Sequence, residues 1–184
     1  VSTEVEVQFV PIYEQVADTL DWKDAYQKGI VENDFRNQVI IEKCSEYVKQ
    51  GLNCLVLVKA LEHGHILDKT LDDPHMFIHG DLSSDDRRDA IASFKDGALR
   101  ILVATKILDQ GVSINNIDVL VMAAGGKSRI QTLQRVGRGL RKGGNSDTLR
   151  VIDFSDMGNT YLAKHSLKRL QDYREEGCFK IVSA

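Results

Sequence analysis

The stretch Ala124–Gly144, AGGKSRIQTLQRVGRGLRKGG, carries two spacings of residues that handle phosphate. Its first half ends in Gly-Lys-Ser, as a phosphate-wrapping Walker A loop does. Such a loop needs a glycine five residues ahead of the one preceding the lysine, so that the chain is long enough to curl its amides round a phosphate. Here that place holds Val121, within an apolar run of strand character. The loop is therefore too short to wrap a nucleotide. Two readings of Gly125, Gly126 and Lys127 stay open. One is a tight strand-to-helix turn, for which glycine is the default residue. The other is a close approach for a backbone phosphate of nucleic acid, with Lys127 as a point charge beside the helix N-terminus.

The second half spaces its arginines differently. On a helix advancing about 100° per residue, Ile130, Leu133, Val136 and Leu140 share one face, and Gln134, Arg138 and Arg141 share a neighbouring one. Arg135 points roughly the opposite way. Two guanidiniums converging from one rigid face can bind oxygens of a single phosphate and supply charge as it develops during hydrolysis. Gly137 and Gly139 each cost a helix about 1 kcal/mol relative to alanine, which implies that something passes close by. A solvated arginine face paired with acidic neighbours is the plainer alternative, but no Glu or Asp interleaves this one.

These groups need a scaffold. Apolar runs of strand length recur along the 184 residues: CLVLV (54–58), HMFIH (75–79), RILVAT (100–105), DVLVMAA (118–124) and LRVIDF (149–154). Their apolarity is continuous, as expected of strands covered on both faces. Helical patterns alternate with them, near residues 39–50, 62–71, 85–95, 128–142 and 160–176. Ser83 and Asp86 stand at capping-box spacing, and Gly97 closes the pattern they open. The opening VEVQFVPI reads as a strand broken at Pro11, followed by a polar connection over 18–37 that is irregular or helical. The sum is an α/β fold with a parallel sheet flanked by helices on both faces. In such open sheets, ligands gather at the carboxyl ends of the strands. The residues expected there are His79-Gly80, Thr105-Lys106, Gly125-Gly126-Lys127 and Ser155.

Composition narrows the classes. A 42 % apolar content suits one compact domain, and no apolar run approaches the length of a membrane span. The net charge of −3 argues against a chain that coats nucleic acid by bulk electrostatics. Residues 125–150, however, hold seven cations and one anion, a local +6 set in a remainder of −9. Cys44, Cys54 and Cys178 are odd in number and widely spaced, which suits neither a disulfide framework nor a zinc site. His63 and His65 lack a third ligand, so no metal site is expected. Arg87 and Arg88 are expected to pair with Asp85, Asp86 or Asp89 rather than grip nucleic acid. His79 is either a packed histidine or a phosphate contact.

The segment QRVGRGLRKG resembles the last motif of superfamily 2 helicases, Gln-x-x-Gly-Arg-x-x-Arg. The order upstream agrees: CLVLVKALEHGHIL is similar to the motif opening the second RecA-like lobe, FIHGDLSSDDRR to the His-Gly segment after it, and ILVATKILDQGVSINNIDVLV to the motif coupling nucleotide to nucleic acid. The likeness runs from about Arg36 to Phe154. GGKSRIQTLQRVGRGLRK and the tail KHSLKRLQDYREEG are similar to phage recombination helicases of the UvsW type and their restriction-helicase relatives. The resemblance implies a RecA-like second helicase lobe at residues 39–184, with residues 1–38 as a lead-in strand and linker from a first lobe absent here. It implies arginine fingers at Arg138 and Arg141, a nucleotide-sensing Gln134, and nucleotide contacts at Asp109, Gly111 and Ser113. Ser113 stands where many relatives have an aspartate that touches the ribose. It also implies backbone-phosphate contacts at Lys59, His79, Gly80, Thr105, Lys106, Gly125, Gly126 and Lys127, with little base information.

The expected activity is that of an ATP-dependent DNA helicase or translocase, with ATP and Mg2+ held mainly by the first lobe and the isolated domain inactive. The expected partners are DNA and that lobe, with no membrane, in the cytoplasm of a bacterial or phage-infected cell. A non-catalytic nucleic-acid-binding module that uses the +6 segment as an electrostatic grip is the alternative. A self-sufficient nucleotide-binding sheet protein survives only if the Gly-Gly-Lys-Ser turn is longer than it reads.

Overall fold

The computed structural model describes residues 4–18, 21–105, 116–126, 147–177 and 179–182. Strands β1 (Glu4–Ile12), β2 (Cys54–Leu57), β3 (His75–Ile78), β4 (Ile101–Ala104), β5 (Val119–Val121), β6 (Thr148–Asp156) and β7 (Phe179–Val182) form one sheet in the order β3-β4-β2-β5-β6-β1-β7. Every neighbouring pair runs parallel. The described helices are α1 (Trp22–Tyr26), α2 (Asp34–Lys49), α3 (Leu61–Thr70), α4 (Ser84–Lys95) and α5 (Thr160–Glu175). A single π-helical turn, Gln27–Val31, follows α1 and buries Ile30 and Val31.

Alternate strand residues face opposite sides, and the core divides accordingly. Leu55, Leu57, Leu102 and Ala104 pack with Ala90, Ile91 and Phe94 of α4 and Tyr173 of α5. Cys54, Val56, Ile101 and Val103 pack with Ile40 and Cys44 of α2 and Leu67 of α3. Helices on both faces explain the continuous apolarity of the strands. Cys44 and Cys54 are buried free thiols, while Cys178 lies outside the described residues. Ser83 Oγ accepts from the Asp86 amide at 3.0 Å, and Gly97 adopts φ +85° after α4, as the capping pattern predicts.

The start of the chain differs from expectation. Pro11 does not end the first strand, because β1 continues to Ile12 with Pro11 opposite Ser155 of β6. The partner on the other side, β7, reaches only Gln8. Pro11 thus sits where β1 has one neighbour, a position that tolerates a missing amide donor. α2 begins at Asp34, with the Asn33 side chain accepting from the Arg36 amide at 3.0 Å, and it runs through the expected 38/39 boundary. Among the described residues, no helix is long and apolar enough to cross a membrane.

Candidate nucleic-acid and nucleotide interface

Parallel pairing puts the carboxyl ends of β3, β4, β2 and β5 side by side on one edge. In that order they present His79-Gly80, Thr105, Lys59 and Gly125-Gly126. Neighbouring strands lie about 4.8 Å apart, so the four ends span about 14 Å. The edge is laced by backbone bonds, from Val58 N to Ala104 O and from Ala124 N to Leu57 O, both 2.9 Å.

Each member is differently disposed. Lys59 is exposed, with Nζ 5.5 Å from the ring centroid of Tyr26. The His79 ring packs 4.8 Å from Phe77 and 5.5 Å from His65, with Nδ1 3.8 Å from Asp81 Oδ2. Its ring is thus packed on one side and lies at the rim of the edge. Thr105 is half-buried. A Cβ built at Gly80 or Gly126 would meet nothing within 4 Å, so the backbone there is open to a close approach. Arg88 pairs with Asp85 at 2.9 Å, as expected.

The Gly-Gly turn is tight. Val121 lies within β5, and Gly125 and Gly126 take φ +58° and +80°, a region that side chains with a Cβ rarely adopt. Three side chains grip its carbonyls: Arg36 Nη1 donates to Ala123 O at 2.8 Å, Tyr26 Oη to Ala124 O, and Arg169 Nη1 to Gly126 O at 2.6 Å. Ile30 covers Gly125, lying 3.2 Å from where a Cβ would stand.

Both arginines are anchored in a buried ionic cluster at the end of β6. Arg36 Nε donates to Asp156 Oδ1 at 2.8 Å, and its guanidinium lies 4.6 Å from the Phe154 ring centroid. Arg169 Nε lies 3.2 Å from both carboxylate oxygens of Asp153, and its Nη2 donates to Phe154 O at 2.8 Å and lies 3.7 Å from Asp156. Tyr173 Oη donates to Asp153 Oδ2 at 2.8 Å. Burial alone would favour a neutral guanidinium at Arg169, but Asp153 and Asp156 outweigh it and hold its pKa above the usual value. Burial, and then the Asp153 charge, push the Tyr173 hydroxyl well above its ordinary range. Next to the cluster, burial and the nearby Arg36 charge lower His63 to about 3. It is thus neutral, with Nε2 2.7 Å from Asn37 Oδ1.

Lys106, Asp109, Gly111, Ser113, Lys127, Gln134, Arg138 and Arg141 lie outside the described residues. Sequence reasoning placed His79, Gly80, Thr105, Gly125, Gly126 and Ser155 at the strand ends, had Lys59 only as a phosphate contact implied by the resemblance, and missed Tyr26, Arg36, Asp153, Asp156 and Arg169. A signal was present: Asp153 and Asp156 interrupt an apolar strand, and a carboxylate buried there demands a cation. Among the described residues, no three His, Cys, Asp or Glu side chains gather as metal ligands.

A parallel α/β sheet of this order, with its candidate phosphate contacts on adjoining strand ends, has the architecture of a RecA-like lobe. The family model described as "Helicase conserved C-terminal domain" matches residues 31–143. The chain belongs to that family and is a C-terminal lobe of the superfamily 2 helicases. It is 29 % identical over 160 residues to the ATP-dependent DNA helicase uvsW of Enterobacteria phage T4, covering 77 % of this chain and 32 % of that protein. The crystal structure of T4 UvsW superposes with a TM-score of 0.74 at 23 % identity, over 100 % of this chain and 42 % of that one. A putative DNA 3'-5' helicase Rad25 of Halobacterium salinarum is 30 % identical over 152 residues, covering 78 % of this chain and 24 % of that protein. The L327V variant of S. cerevisiae Dbp5, solved bound to RNA and ADP BeF3, shares the fold, with a TM-score of 0.62 at 16 % identity over 100 % of this chain and 42 % of that one. The chain thus spans about a third or less of the length of the two curated relatives.

Proposed function

We propose that this chain is the second lobe of an ATP-driven DNA helicase or translocase, working with a first lobe that cradles ATP and Mg2+. The first lobe's phosphate-wrapping loop would hold ATP, which brings the electrophilic γ-phosphoryl group; this chain's part is electrostatic and mechanical. Arg138 and Arg141 reach across the cleft to the phosphate as charge develops, and Gln134, Asp109, Gly111 and Ser113 contact the nucleotide. Lys59, His79, Gly80, Thr105, Lys106, Gly125, Gly126 and Lys127 hold successive backbone phosphates of one strand. Closure of the two lobes on ATP then moves one grip relative to the other.

The observation that carries this reading is the order of the strand ends. His79-Gly80, Thr105, Lys59 and Gly125-Gly126 occupy four consecutive positions along one edge, and the arginine-bearing stretch leaves from the last of them. Val121 in β5 leaves no room for a Walker loop on this chain, which favours a nucleotide gripped by another lobe over a self-sufficient site. DNA rather than RNA rests on the T4 and Halobacterium relatives.

The test compares Arg138→Ala with the parent in the two-lobed protein. ATP hydrolysis should fall by about 10³-fold or more, as when other arginine fingers are lost, while DNA affinity and its salt slope persist. The 184-residue chain alone, given ATP, Mg2+ and single-stranded DNA, should release no phosphate. Retained hydrolysis with a salt slope shallower by about one phosphate contact would instead identify a non-catalytic binding module.

A further inference from the structure

The Ala123–Gly126 turn is held more firmly than a connecting turn requires. Three of its four carbonyls, those of Ala123, Ala124 and Gly126, each receive a side-chain donor, and the donors come from three separate elements. Tyr26 stands at the end of α1, Arg36 in the first turn of α2, and Arg169 in α5. Arg36 and Arg169 approach from opposite faces of the sheet and meet at the last residue of β6, where Asp156 lies 2.8 Å from Arg36 and 3.7 Å from Arg169. Each guanidinium therefore has one side fixed by a carboxylate and another free to donate to the turn. A planar fork held in this way has little freedom to move the carbonyl it grips. Gly125 and Gly126, both at positive φ, would otherwise be the most pliable link between the sheet and residues 127–142.

We propose that Tyr26, Arg36 and Arg169 are positioning residues that set the direction in which the chain leaves the sheet towards Arg138 and Arg141, so that hydrolysis depends on side chains that touch neither nucleotide nor nucleic acid. This rests on the arginine-finger reading above. A misplacement of about 1 Å at a reacting centre can cost on the order of 100-fold in rate, so losing one of three ties on the turn is expected to cost about tenfold. Lys59 lies against the ring of Tyr26. The same tyrosine therefore joins the edge that meets nucleic acid to the turn that carries the arginines.

Replacing Arg36 or Arg169 by alanine would strand buried aspartates and risk unfolding. Tyr26→Phe removes only the hydroxyl and keeps the ring beneath Lys59. In the two-lobed protein, the inference expects kcat for ATP hydrolysis to fall about tenfold, with KM for ATP, DNA affinity and the thermal midpoint close to the parent's. In the Arg138→Ala background, Tyr26→Phe should cause no further fall, because its effect passes through that arginine. A kcat within twofold of the parent overturns the inference, and so does an equal further fall in the Arg138→Ala background, which would mark a general structural role. Both outcomes leave the finger reading standing provided that Arg138→Ala by itself lowers hydrolysis about 10³-fold, to a rate that is still measurable. If Arg138→Ala retains hydrolysis, the finger reading fails first and the positioning role fails with it.

Discussion

Arg36→Ala should be among the most destabilising single changes in this chain. The guanidinium is fully buried, donates to Asp156 through Nε at 2.8 Å and Nη2 at 3.4 Å, donates to Ala123 O at 2.8 Å, and lies over the Phe154 ring. Removing it leaves Asp156 almost wholly buried with, among the described residues, only Arg169 Nη2, at 3.7 Å, as a compensating cation. Breaking a buried ion pair by deleting one partner costs roughly 3–5 kcal/mol, and the remaining arginine places this case near the lower end. The vacated volume adds about 1–2 kcal/mol, less than for a buried leucine, because water can enter a polar gap. A loss of about 4 kcal/mol is a large part of the 5–15 kcal/mol that usually stabilises a domain. At a urea slope of about 2 kcal/mol/M, the unfolding midpoint should drop by about 2 M. The companion experiment removes both charges: Arg36→Met with Asp156→Asn should be more stable than Arg36→Met alone, since no carboxylate is left stranded. A loss below about 1 kcal/mol for Arg36→Ala, or a double variant that simply sums its parts, would refute the dependence of Asp156 on this arginine.

Two further outcomes follow from the same interior. His63 has its pKa lowered to about 3 in the folded chain against about 6.5 unfolded, so the unfolded state binds the extra proton first. Its contribution is complete above pH 6.5 and is lost progressively as pH falls towards 3, by up to about 5 kcal/mol. Urea midpoints measured across that window should show a slope that flattens in His63→Gln, and an unchanged slope would remove His63 as the cause. Gly64→Ala in α3 would place a Cβ 2.0 Å from Phe77 Cζ, forcing that ring towards its neighbours His65 and His79. Overpacking of this kind costs about 1–3 kcal/mol. A variant as stable as the parent by thermal unfolding would show that Phe77 yields freely.

The scaffold was legible because its signals are local. Continuous apolar runs gave β2 to β6 and the alternation of VEVQFVPI gave β1, whereas the four-residue β7 went unread; Ser83 with Asp86 gave a helix start that the Ser83 cap reproduces. Strand order was not legible, yet it is what places Lys59 between Thr105 and Gly125. Pro11 misled because proline's cost depends on whether a neighbour needs its amide, and β7 stops short of it. The clamp on the turn escaped for a related reason: Arg36 and Asp156 are 120 residues apart in sequence, and no spacing rule links them. Arg36 fell inside the polar connection over 18–37, and Arg169 inside a tail segment read only for its helical pattern and its family resemblance.

The buried cluster also bears on how charge is used at the edge. Arg36, Arg169, Asp153 and Asp156 carry two charges of each sign, so the cluster is neutral and projects little field beyond itself. Paired guanidiniums of this sort act through geometry. The cations of residues 127–142, by contrast, have no acidic residue interleaved in sequence, and an excess of one sign is what raises local attraction for a phosphate backbone. A chain with a net charge of −3 can thus engage an anion at one edge without a basic surface elsewhere. Asp153 and Asp156 of β6 are committed to the internal arginines Arg36 and Arg169, leaving the edge to the residues that would meet phosphate. Substituting Asp153 or Asp156 would then act twice, by weakening the fold and by freeing an arginine that otherwise holds the turn.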